Sequence, residues 1–191
     1  MLAVLGEIEL PPLFYGRYNI APTQKVAIIR QNTPDRADEC IWGFDPPQSG
    51  APIINARFET LAERPMFKNL IAGNRCLIPA DGFYEWKGKQ AYYFQLPDRQ
   101  LFAFAGLCRD DRCTIITRSA DAGMQGIHDR MPVMLPFGHW NDWLAGFQLP
   151  PPQVLTLRPV SSRVNKVRND DPDCLAPAEV QTDLSLFPDE M

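Results

Sequence analysis

The chain has 191 residues, of which 45% are hydrophobic and 22% charged, and its formal net charge is −4. These values are typical of a globular protein, and they exclude a disordered chain, a coiled coil and a disulfide-stapled miniprotein. The 19 prolines divide the chain into short segments, which argues against a bundle of long helices. We expect a single domain over residues 1–191, with two domains as the weaker alternative.

The first predicted element is a helix at residues 1–10, which ends before Pro11 and Pro12. Ten short runs rich in β-branched and aromatic residues follow, each closed by turn residues, and this pattern predicts strands. They lie at 25–30, 39–44, 52–58, 75–80, 83–87, 91–96, 101–107, 113–118, 132–136 and 154–160. Two more helices are predicted at 60–72 and 137–145. The pattern predicts a β-rich α+β fold, a partly closed, twisted antiparallel barrel with a few peripheral helices.

Charge is distributed unevenly along the chain. Residues 170–191 hold seven acidic and no basic residues, so residues 1–169 carry a net charge of +3. We interpret 170–191 as an acidic tail beside a basic groove. A purely basic stretch in that groove is formed by Arg158, Arg163, Lys166 and Arg168. An ordinary solvated surface explains the same pattern and stays the alternative.

Several classes of site are absent from the sequence. The five cysteines are irregularly spaced, no C-x-x-C occurs, and only two histidines are present, so no metal site is predicted. No nucleotide-binding or hydrolase motif occurs, and we expect no cofactor. Residues 1–10 do not have the pattern of a secretory signal, and no apolar run is long enough to span a membrane. We therefore expect a cytoplasmic protein with reduced thiols and no membrane partner.

Polar residues within strand-like segments are the candidate site residues. Asn55 and Arg57 alternate with apolar neighbours, so they share one strand face, suited to orienting a substrate and holding a phosphate. Glu85 lies between Tyr84 and Trp86, where partial burial would raise its pKa and suit general acid or base chemistry. A strand-end Asn with a surface Arg, and a solvent-facing Glu, are the alternatives.

His128 lies in a loop after two glycines, where an imidazole can act as a proton shuttle; a structural histidine is the alternative. His139 stands at a helix start, and we predict a structural role for it. Aromatic and apolar surface for nucleobases is predicted from the segment W-G-F and the loop NIAPTQ. These residues are Pro22, Trp42, Gly43 and Phe44. Core packing explains the same aromatics and stays the alternative.

Together these segments resemble the SOS response-associated peptidase (SRAP) family. The motifs that carry the resemblance are GRYNIAPTQ (16–24), W-G-F (42–44), INARFET (54–60), RCLIPADGFYEW (75–86), FAGL (104–107), IHDRMPV (127–133), W-x-x-WL (140–144) and PVSSRVN (159–165). They occur in the family's order and cover about residues 16–178.

The resemblance implies a protein of the DNA-damage (SOS) response that binds single-stranded DNA, abasic-site DNA and single-strand/double-strand junctions. Its cysteine, exposed when the initiator Met is removed, would form a thiazolidine with the ring-opened sugar aldehyde. The implied class is a hydrolase, or peptidase, through self-processing rather than digestion of other proteins. We expect a monomer that associates with the nucleoid when bound to DNA.

The resemblance also assigns roles to residues of this sequence. It implies that Asn55 orients the amine, Glu85 moves protons during ring opening and imine formation, and His128 assists imine chemistry and its reversal. It implies that Arg57 and Arg130 contact DNA phosphates. The bases beside the lesion would contact Pro22, Trp42, Gly43 and Phe44.

One departure from the family pattern concerns the nucleophile. The family begins Met-Cys-Gly-Arg, whereas this sequence begins Met1-Leu2-Ala3-Val4 and its first cysteine is Cys40. Our hypothesis is that a strand bearing the cysteine precedes Met1. The alternatives are a non-catalytic single-stranded DNA binding module and, more weakly, a thiol protease. As printed, the chain should bind DNA without forming a stable adduct.

Overall fold

The computed structural model describes residues 16–179. The strands are β1 (Lys25–Arg30), β2 (Thr33–Trp42), β3 (Asn55–Arg57), β4 (Arg75–Ala80), β5 (Phe83–Lys87), β6 (Gln90–Gln95), β7 (Phe102–Arg109), β8 (Arg112–Ser119), β9 (Arg130–Pro132), β10 (Met134–Pro136) and β11 (Thr156–Val160). The α-helices are α1 (Pro65–Lys68) and α2 (Trp140–Gly146). Short 3-10 helices span Phe58–Thr60, Pro97–Arg99, Phe137–His139, Ser162–Asn165 and Pro172–Leu175. The helix predicted at residues 1–10 lies outside the described residues.

Five strands form a ring in the order β7, β4, β1, β2 and β8, and β8 pairs back onto β7. β10 pairs with β7, whereas β3 and β9 pair with β8. A second, antiparallel sheet has the order β11, β6 and β5. The predicted β-rich α+β fold with a partly closed barrel is confirmed. The ring sheet is mixed rather than antiparallel, because β2 and β3 both run parallel to β8.

Both faces of the ring strands are apolar. Ile29, Leu77 and Ile116 belong to a cluster that includes the side chains of α2, so this face is the outside of the ring. The neighbouring residues Ile28 and Ile115 belong to a second cluster on the opposite face, which fills the ring. Alternation places successive side chains on opposite faces, so strands buried on both sides read as continuous apolar runs.

Gly106 of β7 permits the tight packing inside the ring. A Cβ atom at this position would lie 2.9 Å from the Cys76 sulfur and 3.1 Å from the Thr114 carbonyl oxygen. These contacts are tighter than a Cβ atom ordinarily makes, so a larger residue would require the Cys76 side chain of β4 and the Thr114 carbonyl of β8 to shift.

The helix predicted at 60–72 is mostly irregular. The segment forms a 3-10 turn at Phe58–Thr60 and the four-residue helix α1. Pro65 cannot continue a helix that begins at residue 60, because it has no backbone N–H and its ring clashes with the preceding turn. The turns between these pieces allow Leu61, Phe67 and Leu70 all to be buried. Burial therefore overrides the local helix preference here.

The helix predicted at 137–145 matches a 3-10 turn followed by α2. Trp140, Trp143 and Leu144 are buried against the ring, as their spacing indicated. The buried guanidinium of Arg75 donates to the carbonyl oxygens of Trp143 and Leu144, which places a cation at the carboxyl end of α2. None of the helices in residues 16–179 is long and apolar enough to cross a membrane.

Candidate functional site

A cleft of about 1100 Å³ opens at one end of the ring. Its floor includes Val26, Ile78, Phe104 and Ile115 from the cluster inside the ring. Its walls come from loop 16–22, from β5 of the second sheet and from β8 and β9. The cleft is thus lined by residues of both sheets.

Most of the predicted site residues line this cleft. They are Pro22, Trp42, Asn55, Glu85, His128 and Arg130. The three residues predicted to take part in the chemistry come from β3, from β5 and from the loop before β9. The tertiary structure therefore brings together an amide, a carboxyl group and an imidazole that are dispersed in the sequence.

Asn55 begins β3, which pairs in parallel with β8. Its side chain and that of Arg57 are exposed, whereas Ala56 between them is buried, as the alternation predicted. Asn55 lines both the main cleft and a smaller cleft of about 490 Å³. Arg57 lines only the smaller cleft, together with Arg64. Within the described residues, the Asn55 amide has no hydrogen-bond partner, so it is available to a ligand.

Glu85 lies in the middle of β5, opposite Tyr92 of β6, and is half-buried. Burial raises its pKa above the usual value, and the nearby charge of His128 opposes that shift. A carboxyl group with a raised pKa keeps its proton to higher pH, which suits a general acid.

His128 is fixed by the backbone of Arg130. Its Nδ1 atom lies 3.0 Å from the Arg130 backbone nitrogen and 2.9 Å from the Arg130 carbonyl oxygen. An unprotonated Nδ1 accepts from the N–H, whereas a protonated Nδ1, in the other neutral tautomer or in the imidazolium, donates to the carbonyl. The ring can gain and lose a proton without changing its orientation.

The guanidinium of Arg130 is held by Glu59, which the sequence analysis did not single out. Its Nη1 and Nη2 atoms donate to Oε1 and Oε2 of Glu59, both at 2.9 Å, and Nη2 also contacts Thr117 Oγ1 at 3.2 Å. These bonds lower the pKa of Glu59 from 4.5 to about 2. Glu59 stands within the INARFET motif, but a pair separated by 71 positions leaves no local signal.

The predicted base-contacting surface is only partly exposed. Pro22 is exposed, and Trp42 is half-buried with its indole N–H donating to the Ile54 carbonyl at 2.9 Å. Phe44, in contrast, has no exposed surface and packs against Phe67 in the core. A ring without exposed surface cannot stack on a base, so the prediction for Phe44 is wrong, and core packing explains it.

Gly43 is also buried, and it lies outside the residues that line the cleft. Its N–H donates to the Cys113 carbonyl, and its carbonyl accepts from Arg112. Its φ of +126° is a conformation that favours glycine. Gly43 therefore shapes the backbone after Trp42 rather than contacting bases.

Loop 16–22, which forms one wall, is held by Asp170. The Asp170 carboxylate accepts from the N–H groups of Tyr18 and Asn19 and pairs with Arg17. Partial burial opposes ionisation, but these bonds nevertheless lower the pKa of Asp170. The Asn19 amide lies within 3.3 Å of the carbonyl oxygens of Val164, Lys166 and Asn169. The GRYN motif thus joins the wall to the segment that follows β11.

This network corrects the predicted acidic tail. Asp170 and Asp171 are ion-paired with Arg17 and Arg163, so they belong to the folded body, while residues 180–191 lie outside the described residues. The predicted basic stretch is partly engaged as well, since Arg158 donates to the Leu175 carbonyl. Exposed cations without a carboxylate partner in the described part of the chain include Arg57, Arg64, Lys89, Lys166 and Arg168.

Neither a thiol nor a metal site occurs in the described cleft. All five cysteines are buried and none lines it. Within residues 16–179, no group of three or more His, Cys, Asp or Glu side chains could hold a metal ion. His139 is held outside the cleft, 3.0 Å from Asp142 in α2.

Comparisons with known proteins identify the family and the fold. The family model described as "SOS response associated peptidase (SRAP)" matches residues 6–167. The abasic site processing protein YoaM of Bacillus subtilis is 36% identical, over 83% of this chain and 83% of its own length. YedK of Escherichia coli, also called an abasic site processing protein, is 31% identical over 92% of this chain and 93% of its own.

Among solved structures, a protein from Bacteroides thetaiotaomicron superimposes with a TM-score of 0.74. The alignment covers 87% of this chain and 88% of that one at 22% identity, so this likeness supports the fold alone.

Proposed function

The chain belongs to the SOS response-associated peptidase family, and from that premise we propose that it processes abasic sites in DNA. The observation that carries the proposal is that Asn55, Glu85 and His128 line a single cleft. The proposed ligands are single-stranded DNA containing an abasic site and single-strand/double-strand junctions. The proposal includes a monomeric cytoplasmic protein of the DNA-damage response.

The proposed reaction is the capture of an aldehyde. The ring-opened abasic sugar carries this aldehyde, and a neutral N-terminal amine attacks its carbon. The carbonyl oxygen leaves as water, and an imine remains. The thiol of the same N-terminal cysteine then adds to the imine carbon, and its proton moves to the nitrogen, which closes a thiazolidine. None of the five cysteines present can take this part, because each lies mid-chain without a vicinal amine.

The three polar residues of the cleft have different parts in the proposed reaction. The Asn55 amide, which is free of internal hydrogen bonds within the described structure, orients the attacking amine. Glu85, with its raised pKa, donates the proton that lets the carbonyl oxygen leave as water. His128 exchanges protons through Nε2, because the Arg130 backbone occupies Nδ1.

The DNA backbone is proposed to cross β3. The exposed cations Arg57 and Arg64 lie beside the smaller cleft, and Lys89 lies at the main cleft, so phosphates on either side of the lesion would meet positive charge. Pro22 and Trp42 are proposed to contact the neighbouring bases. Arg130 contributes less to this surface than the family resemblance implies, because Glu59 already occupies its guanidinium.

A non-catalytic single-stranded DNA binding module is the second candidate function. The observation that favours it is that no thiol lines the described cleft. The same observation disfavours a thiol protease, since such an enzyme needs an accessible thiolate next to a base.

The decisive experiment compares the 191-residue chain with a version, the cysteine-bearing chain, that carries a segment beginning Met-Cys-Gly-Arg ahead of Met1. Each is incubated with an abasic oligonucleotide, or its undamaged counterpart, and analysed on native and denaturing gels. We expect both proteins to bind, and only the cysteine version to form a heat-stable adduct with the abasic strand.

The matched control replaces the added cysteine with serine, which preserves the chain length and the amine but removes ring closure. Binding by both proteins without any adduct would favour the binding module. Absence of DNA binding by all versions would overturn the proposed function.

Salt dependence tests the proposed path of the backbone. Each phosphate contact to single-stranded DNA contributes about 0.7 to the slope of log K against log salt. We expect Arg57→Ala to weaken binding and to reduce that slope by about 0.7. Arg99→Ala, which removes an exposed arginine that does not line either described cleft, should leave the slope unchanged.

A further inference from the structure

We propose that Glu59 is a positioning residue, which holds Arg130 and thereby fixes His128 in the cleft. The proposal deepens the proposed function by adding a residue that acts through another. It predicts that removal of the Glu59 charge changes the state of the imidazole without any DNA present.

The first step is the contact between Glu59 and β9. Glu59 lies in the 3-10 turn directly after β3, and its carboxylate receives two parallel hydrogen bonds from Arg130, the first residue of β9. Paired bonds between a guanidinium and a carboxylate are among the strongest and most directional in proteins. The turn after β3, the strand that carries Asn55, is therefore tied to the strand that follows His128.

The second step is that Glu59 contacts both partners of one strand pair. Arg130 pairs with Ser119 across β8 and β9, and the Ser119 N–H donates to Glu59 Oε1 at 3.1 Å. The start of β9 is thus fixed through the Arg130 side chain and through the backbone of the residue opposite.

The third step concerns the remaining donors of Arg130. Glu59 accepts one hydrogen bond from each terminal nitrogen of Arg130, and Thr117 Oγ1 accepts a second hydrogen bond from Nη2. The Nε atom is buried and has no partner within the described structure. Only 18% of the Arg130 side chain is exposed. Few orientations satisfy these restrictions, so the guanidinium is held in one position and leaves little to a phosphate.

The fourth step leads from Arg130 to His128. The Nδ1 atom of His128 lies 3.0 Å from the Arg130 nitrogen and 2.9 Å from its carbonyl oxygen. The Arg130 backbone therefore sets the ring orientation, and the Asp129 carboxylate lies farther from Nδ1, at 3.4 Å. If the first residue of β9 becomes mobile, the imidazole loses this fixed partner.

The test uses nitrogen-15 NMR of the imidazoles in the printed chain. The sequence has only two histidines, His128 and His139, so few imidazole resonances need to be assigned, and His139 serves as an internal reference. In the parent chain we expect His128 to give the Nδ1 and Nε2 shifts of a ring that is held by one partner. In Glu59→Gln, both shifts of His128 should move towards those of an unrestrained imidazole, while those of His139 remain unchanged.

Glu63→Gln is the matched control, because Glu63 is an exposed glutamate four positions later with no ion pair in the described structure. It should leave both histidines unchanged. Arg130→Lys is the second variant: it keeps the charge and the backbone N–H but cannot form two parallel bonds, so it should reproduce the Glu59→Gln spectrum.

An unchanged His128 in folded Glu59→Gln, or in folded Arg130→Lys should the first variant not fold, would overturn the proposal. In the cysteine-bearing chain, Glu59→Gln should slow adduct formation by about 10- to 100-fold, with a smaller change in affinity for undamaged DNA. The NMR test needs no DNA, so an unchanged His128 spectrum would overturn this proposal alone. The proposed function would be overturned by a different result, the absence of DNA binding by the parent chain.

Discussion

Two carboxyl groups at or beside the cleft have opposite proton affinities. Burial raises the pKa of Glu85, whereas the hydrogen bonds from Arg130 lower that of Glu59 to about 2. Glu59 is therefore a permanent anion at physiological pH, suited to holding a cation. Glu85 can carry a proton more readily, suited to transferring one. Their surroundings, rather than their chemical type, separate the two roles.

The raised pKa of Glu85 predicts that Glu85→Gln stabilises the protein while it removes activity. A group whose folded-state pKa is raised contributes stability below its unfolded pKa and loses that contribution as pH rises through the folded pKa. We therefore expect the two unfolding free energies to converge at acid pH and to favour Glu85→Gln at neutral pH. Urea denaturation from acid to neutral pH measures this difference.

In the cysteine-bearing chain, the same substitution should slow adduct formation by about 10²- to 10⁴-fold, the usual loss when a general acid is removed. Glu63→Gln again provides the control, since that glutamate is exposed and should affect neither quantity. A Glu85→Gln variant that is less stable than the parent at neutral pH, or fully active, would contradict the assignment.

At the level of elements, the cleft depends on segments that local sequence describes poorly. β3 has three residues, and it is held by parallel pairing with β8. The strand predicted at 132–136 is divided into β9 and β10 at Val133, whose N–H donates to Ile116 and whose carbonyl accepts from Ala105. At this residue the chain changes its pairing partner, from β8 for β9 to β7 for β10. The path of the segment is therefore set by strands that are distant in sequence.

Loop 16–22 gives a prediction at this scale, because it is held mainly by Asp170. Asp170→Ala removes the acceptor of two backbone N–H groups and the partner of Arg17. We expect it to lower the free energy of unfolding by about 2–3 kcal/mol, since hydrogen bonds to charged groups contribute about 1.5–3 kcal/mol. Chemical denaturation measures the loss, and limited proteolysis should show faster cleavage near Tyr18.

Asp170→Asn is the matched variant. It keeps an oxygen for the N–H groups of Tyr18 and Asn19 but loses the charge beside Arg17, so its loss should be smaller. Equal stability of Asp170→Ala and the parent chain would show that the wall is held in some other way.

The whole molecule separates its thiols from solvent. Cys40, Cys76, Cys108 and Cys113 converge in the cluster inside the ring, and Cys174 lies in a separate small cluster with Val160 and Val164. All five are at most 2% exposed. Burial raises the pKa of Cys40 to about 11, although nearby Arg30 opposes the shift. Hydrogen bonding with Cys76 lowers the pKa of Cys108, but that thiol is equally inaccessible.

We therefore predict that a thiol reagent such as DTNB labels none of the five cysteines rapidly in the native protein and all five after denaturation. The reagent reacts with an accessible thiolate, and none of the five cysteine thiols is accessible in the folded protein. In the cysteine-bearing chain, one thiol should react rapidly. Rapid labelling of the native printed chain would contradict the buried positions of these residues.

The sequence by itself determined the elements whose signals are local. The bounds of β1, β4 and β5 match the predicted strands, because the apolar runs and turn residues that define them are contiguous. The family motifs likewise indicated Asn55, Glu85 and His128, and all three line the cleft. Two of the wrong predictions, the long helix at 60–72 and the base contact of Phe44, concern residues whose state depends on what packs against them.

Only the tertiary structure decided the parallel pairing of β3 with β8, the closure of the ring, the burial of Phe44 and the role of Asp170 in the folded body. It also decided the contact between Glu59 and Arg130. These contacts join residues far apart along the chain, and their free energy depends on distance and burial in the folded state. Neither quantity is present in local sequence, which encodes backbone preference and the alternation of polar and apolar side chains.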